Sequence, residues 1–358
     1  LSYPAVSSVS SAAVIGAARW FLQSGIQEAS GGVARFYRTD VGGNAPLSTE
    51  ITGYALSALV FFAQRTGDEQ YLDSARRAAD FLLQQEIEHS GFFPFEISSD
   101  PLIYFFDSGI IIRGLLALWG KTGDDSLLEA AVRAGRALQR FLGFGFPIPP
   151  VLRFRDLTPL PLDPTRWSRT PGCYQLKAAL AWRQLFDITG DGDFLSSFEC
   201  MLEHALATHE PFLPGDSNPI HVVDRLHAYC YFLEALLHRR DEPAFAAMIA
   251  GGLQRVQALA DELAPVAVRS DVIAQRLRVQ LLSGLAIDAD RCAADAEKLR
   301  SFQATDPPSH IGGFWFGTRL GRLLPFINPV STIFATQALT LWEDYNQSDP
   351  PLDPCILI

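Results

Sequence analysis

The chain has 358 residues, 48% hydrophobic and 19% charged, which is enough apolar material for a large core and too little charge for a disordered polypeptide. A formal net charge of −11 argues against a nucleic-acid groove, which needs a clustered positive field. The most apolar stretches, Ala55–Ala63 and Gly109–Trp119, are too short to cross a bilayer, so no membrane span is expected.

Taken from its first residue, the chain shows no basic segment followed by an apolar one over residues 1–30. Cys173, Cys200, Cys230, Cys292 and Cys355 are scattered without CxxC spacing, so they read as buried free thiols and call for neither a disulfide framework nor a zinc site. A cytoplasmic location follows as the expectation. The last four residues, Cys355 to Ile358, formally fit a prenylation box, but no polybasic segment precedes them.

Thr66-Gly67-Asp68 recurs as Thr122-Gly123-Asp124, 56 residues on. The same offset lays Phe36-Tyr37 on Phe92-Phe93, Gly53 on Gly109, Leu59 on Leu115, Leu72 on Leu128 and Leu82 on Leu138, the mark of a stacked structural repeat. A third copy, Thr189-Gly190-Asp191, is displaced by a Pro-rich insertion from Gly145 to Thr170. Each copy reads as a Gly-aromatic loop, an apolar helix, a tight Thr-Gly-Asp turn and an amphipathic helix.

Residues 47–64, 106–120 and 172–188 are apolar nearly all round and predict inner helices; residues 69–85, 125–142 and 192–208 keep one apolar stripe and predict outer ones. Asp68, Asp124 and Asp191 stand where a carboxylate caps the outer helix. Farther on, His221–His238 with Glu242–Glu262 and Val266–Gly284 with Ala289–Ser301 give two more pairs. Gly312-Gly313-Phe314-Trp315 restores the loop, and Pro329–Asn346 supplies a sixth inner helix whose outer partner is Val9–Gln23. The expected fold class is therefore all-α, an (α/α)6 toroid of about six helical hairpins forming one domain over 1–358, with a tail at 347–358.

The Thr-Gly-Asp turns, the Gly-aromatic loops and the Phe106-Asp107-Ser108-Gly109 start of an inner helix resemble the six-hairpin (α/α)6 superfamily. That resemblance implies glycoside hydrolase, polysaccharide lyase or sugar epimerase chemistry, with terpenoid-cyclase toroids as structural relatives. The DxDD acid of squalene-type cyclases and the zinc ligands of prenyltransferases and lanthionine cyclases are missing, as are the signatures of unsaturated-uronyl hydrolases, so no specific family is assigned and neither metal nor other cofactor is expected.

Connections alternate in length: inner-to-outer turns are short, whereas the segments at 25–47, 86–105, 143–171, 209–220 and 302–328 are long and lead into inner-helix N-termini. The N-terminal amides favour anionic or hydroxyl-rich ligands, which places the expected site there. Glu50, Asp107, Asp224 and Asp271 are acids near inner-helix starts, serving either as first-turn charges or as the acid and base of glycoside chemistry. Asp107 with Asp224 is the first pair, and His227 is a proton shuttle near Asp224 or a core histidine.

Arg35, Arg113, Arg166, Arg225 and Arg276 are clamps for a carboxylated sugar or structural ion pairs, and Arg113, within an apolar helix, needs a buried partner such as Asp107. Tyr37, Phe92 and Phe93 read as plugs of the toroid, Trp167 and Trp315 as stacking platforms, and Tyr174 as a hydrogen-bonding phenol or a packing ring. The expected partner is an oligo- or polysaccharide, a uronate-containing one among the options. The alternatives are a non-catalytic glycan-binding scaffold and a terpenoid-processing enzyme.

Overall fold

A computed structural model of the chain describes residues 11–96, 100–347 and 357–358. Twelve α-helices appear among them: α1 Ala12–Gln23, α2 Thr49–Thr66, α3 Gln70–Gln85, α4 Phe105–Thr122, α5 Asp125–Gln139, α6 Gln175–Thr189, α7 Gly192–Thr208, α8 Pro219–Leu236, α9 Pro243–Leu263, α10 Ser270–Leu282, α11 Ala289–Arg300 and α12 Pro329–Asn346. They match the expected inner and outer helices in order and, within a few residues, in extent. Cys355, with its prenylation box, most of the expected tail and the first residues of the expected first helix lie outside the described residues.

The chain divides into two compact units. One comprises Gln27–Arg35 and Pro46–Phe212; the other comprises residues through Ile26, then Phe36–Ala45 and Leu213–Ile358. In the first unit α2 packs on α4 and α4 on α6, while α3, α5 and α7 each pair with the helix before them. In the second, α8 and α12 both pack on α10, α9 covers α8, α11 covers α10, and α1 packs on α12 as its expected outer partner.

The Thr-Gly-Asp turn works identically in all three copies of the first unit. The glycines adopt left-handed φ of 69°, 69° and 72° at Gly67, Gly123 and Gly190, which stops the inner helix at no steric cost. The hydroxyls of Thr66, Thr122 and Thr189 donate to carbonyls four residues back and accept the amides of Asp68, Asp124 and Asp191. Each aspartate in turn accepts from the amide two residues on, satisfying an orphan donor of the outer helix.

Close approach of helix backbones sets the register of the first unit's inner helices. A Cβ on Gly53 would sit 3.0 Å from the Ile111 backbone, and one on Gly109 would sit 2.5 Å from Ala178 Cβ and its carbonyl oxygen. Ser48, Thr52 and Ser108 anchor the starts of α2 and α4: Ser48 Oγ accepts the Ile51 amide, and Thr52 and Ser108 donate to carbonyls four residues back.

The long connections carry short strands that no periodicity announced. Val33–Ala34 pairs with Leu47–Ser48 and Leu102–Tyr104 with Val151–Arg153 in the first unit; Phe326–Ile327, Tyr37–Arg38 and Gly43–Asn44 form one small sheet of the second, and Ala267–Arg269, Gly317–Arg319 and Arg322–Leu323 another. The expected loop alignment also shifts. Gly31 packs against the Arg77 carbonyl and Gly91 against the Arg133 carbonyl, so the loops correspond Gly31 to Gly91, and Phe36-Tyr37 is not the counterpart of Phe92-Phe93. Phe92 and Phe93 are buried plugs, whereas Phe36 and Tyr37 are half-buried. Cys173, Cys230 and Cys292 are buried as expected; Cys200 is exposed, because it falls on the outward face of α7.

Candidate functional site

In the first unit, Glu50 is the second residue of α2 and Asp107 the third of α4, so neighbouring packed helices present a carboxyl group each in their first turns. A helix N-terminus favours the anion by about 0.3–1 kcal/mol, less than one pKa unit. Burial outweighs it here: Glu50 rises from 4.5 to about 7 against the opposing charge of Arg35. Asp107 is pushed well above the usual carboxylate range, first by burial and then by the charge of Glu50, with Arg35 opposing. Its Oδ2 is buried without a hydrogen-bond partner. Glu50 is half-buried.

Around this pair stand groups from three connections. Arg35 pairs with Glu96 at 2.7 Å and lies over the Phe95 ring at 5.1 Å. Phe95 in turn meets Tyr104 at 4.9 Å between centroids. The Tyr104 phenol is raised by burial and by Asp107, against the charges of Arg169 and Arg166. Arg166 and Arg169 come from the Pro-rich insertion, and the pairing of Val151–Arg153 with Leu102–Tyr104 ties that insertion to the segment leading into α4. Trp167 packs edge-on against Tyr174 at 4.9 Å and Phe106 at 6.0 Å, and Tyr174 is buried with its hydroxyl donating to the Thr170 carbonyl.

Sequence reasoning named Asp107 and Glu50 but paired Asp107 with Asp224, which lies in the other unit. It missed Phe95 and Glu96; the aromatic run preceding Asp107 was the available signal. Arg113 is buried, and its Nε donates to Gln184 Oε1 at 3.4 Å, because six residues along α4 carry it away from the first turn where Asp107 sits.

The second unit gathers three other candidates around an arginine the sequence did not single out. Arg269 is bidentate to Asp271, at 3.0 and 2.5 Å, and reaches Asp224 at 2.8 Å. Asp224 sits in the second turn of α8, not the first, since that helix begins at Pro219. Burial alone would raise Asp271; the charge and hydrogen bonds of Arg269 and the Val272 amide hold it below its ordinary value.

His227 is buried and driven down to about 4 by that burial, so it is neutral. Its Nδ1 faces Gln275 Oε1 at 2.8 Å and Asp271 Oδ2 at 3.4 Å; two acceptors there mean that Nδ1 carries the proton and Nε2 the lone pair. Arg225 is buried on α8, while Arg276 turns outward to the buried Asp295 of α11 and so belongs to the helix packing. His221 pairs with Asp216 at 2.8 Å. Tyr37 stacks on His310 at 3.6 Å, and Trp315 is half-buried in the loop preceding Phe316, whose ring lies under Arg269 at 4.5 Å.

No protein-family model and no curated protein matches the sequence. Solved structures do. A sugar epimerase from a ruminal bacterium is 10% identical, with a TM-score of 0.67 over 89% of this chain and 95% of that one. The cellobiose 2-epimerase of Spirochaeta thermophila DSM 6192 is 15% identical, with a TM-score of 0.66 over 89% and 93%. A GH76A α-1,6-mannanase from Salegentibacter sp. HEL1_6 is 12% identical, with a TM-score of 0.58 over 92% and 99%. These likenesses establish the fold class as all-α, the six-hairpin (α/α)6 toroid, without marking out a family within it. Among the described residues no helix is long and apolar enough to cross a membrane.

Proposed function

We propose that this chain is a carbohydrate-active enzyme whose working groups are Glu50 and Asp107, acting as base and acid on an oligo- or polysaccharide. The observation that carries this reading is the pair itself: two carboxyl groups in adjacent first turns, both held toward the protonated form by burial, and Asp107 also by the charge of Glu50. Structural ion pairs are satisfied and depressed in pKa; this pair is the reverse, which suits proton donation near neutral pH. Asp107, held protonated by burial and by the charge of Glu50, is the acid that protonates a leaving oxygen. Glu50, near 7, is the group that accepts a proton from the attacking water or hydroxyl. The solved structures of like fold carry sugar-processing names, which supports the substrate class by analogy of fold.

The test is turnover of a panel of oligosaccharides by the wild type, Asp107→Asn and Glu50→Gln. Loss of turnover in both variants is expected, and unchanged turnover would remove the assignment.

A second reading rests on His227. A neutral imidazole whose Nδ1–H is fixed by Asp271 and Gln275 offers Nε2 as a base, the group needed to move a proton at a carbon beside a sugar carbonyl, as in epimerisation. Deuterium uptake from solvent into recovered sugar, abolished by His227→Gln, distinguishes this chemistry from hydrolysis.

A further inference from the structure

Leu357 and Ile358 belong to the stretch that formally fits a prenylation box, yet they are core residues, 3% and 5% exposed. They are part of the second unit, and what holds them lies there. The Ile358 amide donates to Gln337 Oε1 at 3.3 Å in a buried bond that spans 21 residues. Gln337 stands near the middle of α12, and the same oxygen accepts from Arg278 Nη1 at 3.0 Å. A carbonyl oxygen has two lone pairs, so one acceptor serves both donors.

That bond joins the segment to groups that are themselves fully buried. Arg278 and Glu234 pair between α10 and α8, and the Arg278 guanidinium lies over the Phe334 ring at 3.9 Å. Phe334 is one turn ahead of Gln337 on α12. Its ring meets Tyr231 edge-on at 6.2 Å and His227 at 6.3 Å, and Tyr231 packs edge-on against His227 at 4.5 Å. Named contacts thus run without a break from Ile358 through Gln337, Arg278 and Phe334 to the imidazole of His227. Burial of two aliphatic side chains and one satisfied amide holds the segment in place against the entropy of ordering it.

We propose that Leu357–Ile358 is a latch, bound among the inner helices of the second unit, that fixes Gln337 and Arg278 and through Phe334 the aromatic wall beside His227. Its bearing on activity rests on the second reading, in which His227 is the base. Release of the segment takes one donor from Gln337, lets the guanidinium move along the Phe334 ring and loosens the surroundings of the imidazole. A partner that binds only the released segment must first draw it from the core, and so acts on His227 from a distance by its preference for the open form.

The test uses the whole chain carrying Leu357→Gly/Ile358→Gly, which removes both side chains and keeps both amides. Two readouts are followed: hydrogen exchange of the α10 and α12 amides, and imidazole nitrogen NMR of the histidine-labelled chain, with the His227 signals assigned by their absence from His227→Gln. The expected result is exchange at least about tenfold faster around Arg278 and Gln337, together with displaced or broadened His227 signals. Leu357→Met/Ile358→Leu, which keeps the volume, should return both readouts to those of the wild type. Should the double glycine variant fail to fold, Ile358→Ala carries the same two readouts in a smaller step. Unchanged exchange overturns the latch, and faster exchange with the His227 signals in place overturns its hold on the wall beside the imidazole. Neither readout measures turnover, so the latch can fail while the sugar chemistry assigned to His227 stands, and the reverse.

Discussion

Asp107, in the first turn of α4, is hard to ionise first because it is buried and then because of the charge of Glu50, in the first turn of α2. Removing the Glu50 charge should therefore let Asp107 ionise at a lower pH. Glu50→Gln is expected to move the carboxyl titration of Asp107 downward, read by carbon NMR of the chain labelled at aspartate. A titration that stays in place would show that Glu50 does not act on Asp107. Turnover should fall in the same variant by about 10²–10⁴, the usual worth of a positioned acid or base.

The same elevation makes Glu50 a stability group of unusual sign. Its folded value of about 7 lies above the unfolded value near 4.5, so between those limits the folded state binds a proton that the unfolded state has lost. Its contribution is fully present below pH 4.5 and is lost as pH rises through about 7. Glu50→Gln, permanently neutral, should raise Tm relative to the wild type more at pH 8 than at pH 5. An equal difference at both pH values would contradict the elevated pKa.

Much of this architecture is legible in the sequence because it rests on local physics. Thr66-Gly67-Asp68 and its copies specify a helix stop and a helix start within three residues, and the structure uses every one of those groups. The strands are not legible: two- or three-residue pieces such as Tyr37–Arg38 are too short to show alternation and form only because the loops meet. The partner of Asp107 was equally hidden. Glu50 aligns with Phe106 in the 56-residue repeat, so the two acids are not repeat equivalents, and only the packing of α2 on α4 brings them together. Likewise Arg269 precedes an inner helix among ordinary loop residues, and nothing local marks it as the bridge between Asp224 and Asp271.

His310 supplies an acid-side test in the second unit. Trp20 Nε1–H donates to its Nδ1 at 3.1 Å, and burial lowers it from 6.5 to about 4. A depressed histidine contributes stability that is present above the unfolded value of 6.5 and lost as pH falls toward 4. His310→Asn, which keeps an acceptor but cannot charge, should cost roughly 1 kcal/mol at pH 7 and flatten the decline of Tm between pH 6.5 and 4. A decline as steep as in the wild type would assign the acid sensitivity to other groups.

The pair Arg278 and Glu234, on α10 and α8, is fully buried, with Arg278 also donating to Gln337 on α12 at 3.0 Å and lying over Phe334 at 3.9 Å. One guanidinium thus joins three inner helices of the second unit. Glu234→Gln leaves that charge without its carboxylate and should cost on the order of 3–5 kcal/mol in urea unfolding. Replacing both residues with apolar ones, as Glu234→Leu/Arg278→Met, should cost less than the single change. A single variant as stable as the wild type would mean the charge finds another counterion.

Gly109 links the fold to the proposed chemistry, because it lies two residues from Asp107 at the closest approach of α4 to α6. A methyl group there would come within 2.5 Å of Ala178 Cβ and its carbonyl oxygen, and a backbone atom cannot swing aside as a side-chain tip can. Gly109→Ala must push the two helices apart. Overpacking of this kind costs about 1–3 kcal/mol, partly offset by alanine's better helix propensity of about 1 kcal/mol. The displacement also moves Asp107 relative to Glu50, so turnover should fall in a variant that remains folded, with the titration of Asp107 shifting toward that of an isolated buried acid. Gly120→Ala, at the other end of α4 and with open space around it, is the control: it should be neutral or stabilising and leave turnover unchanged. Loss of turnover in both variants would trace the effect to helix α4 at large and not to the contact at Gly109.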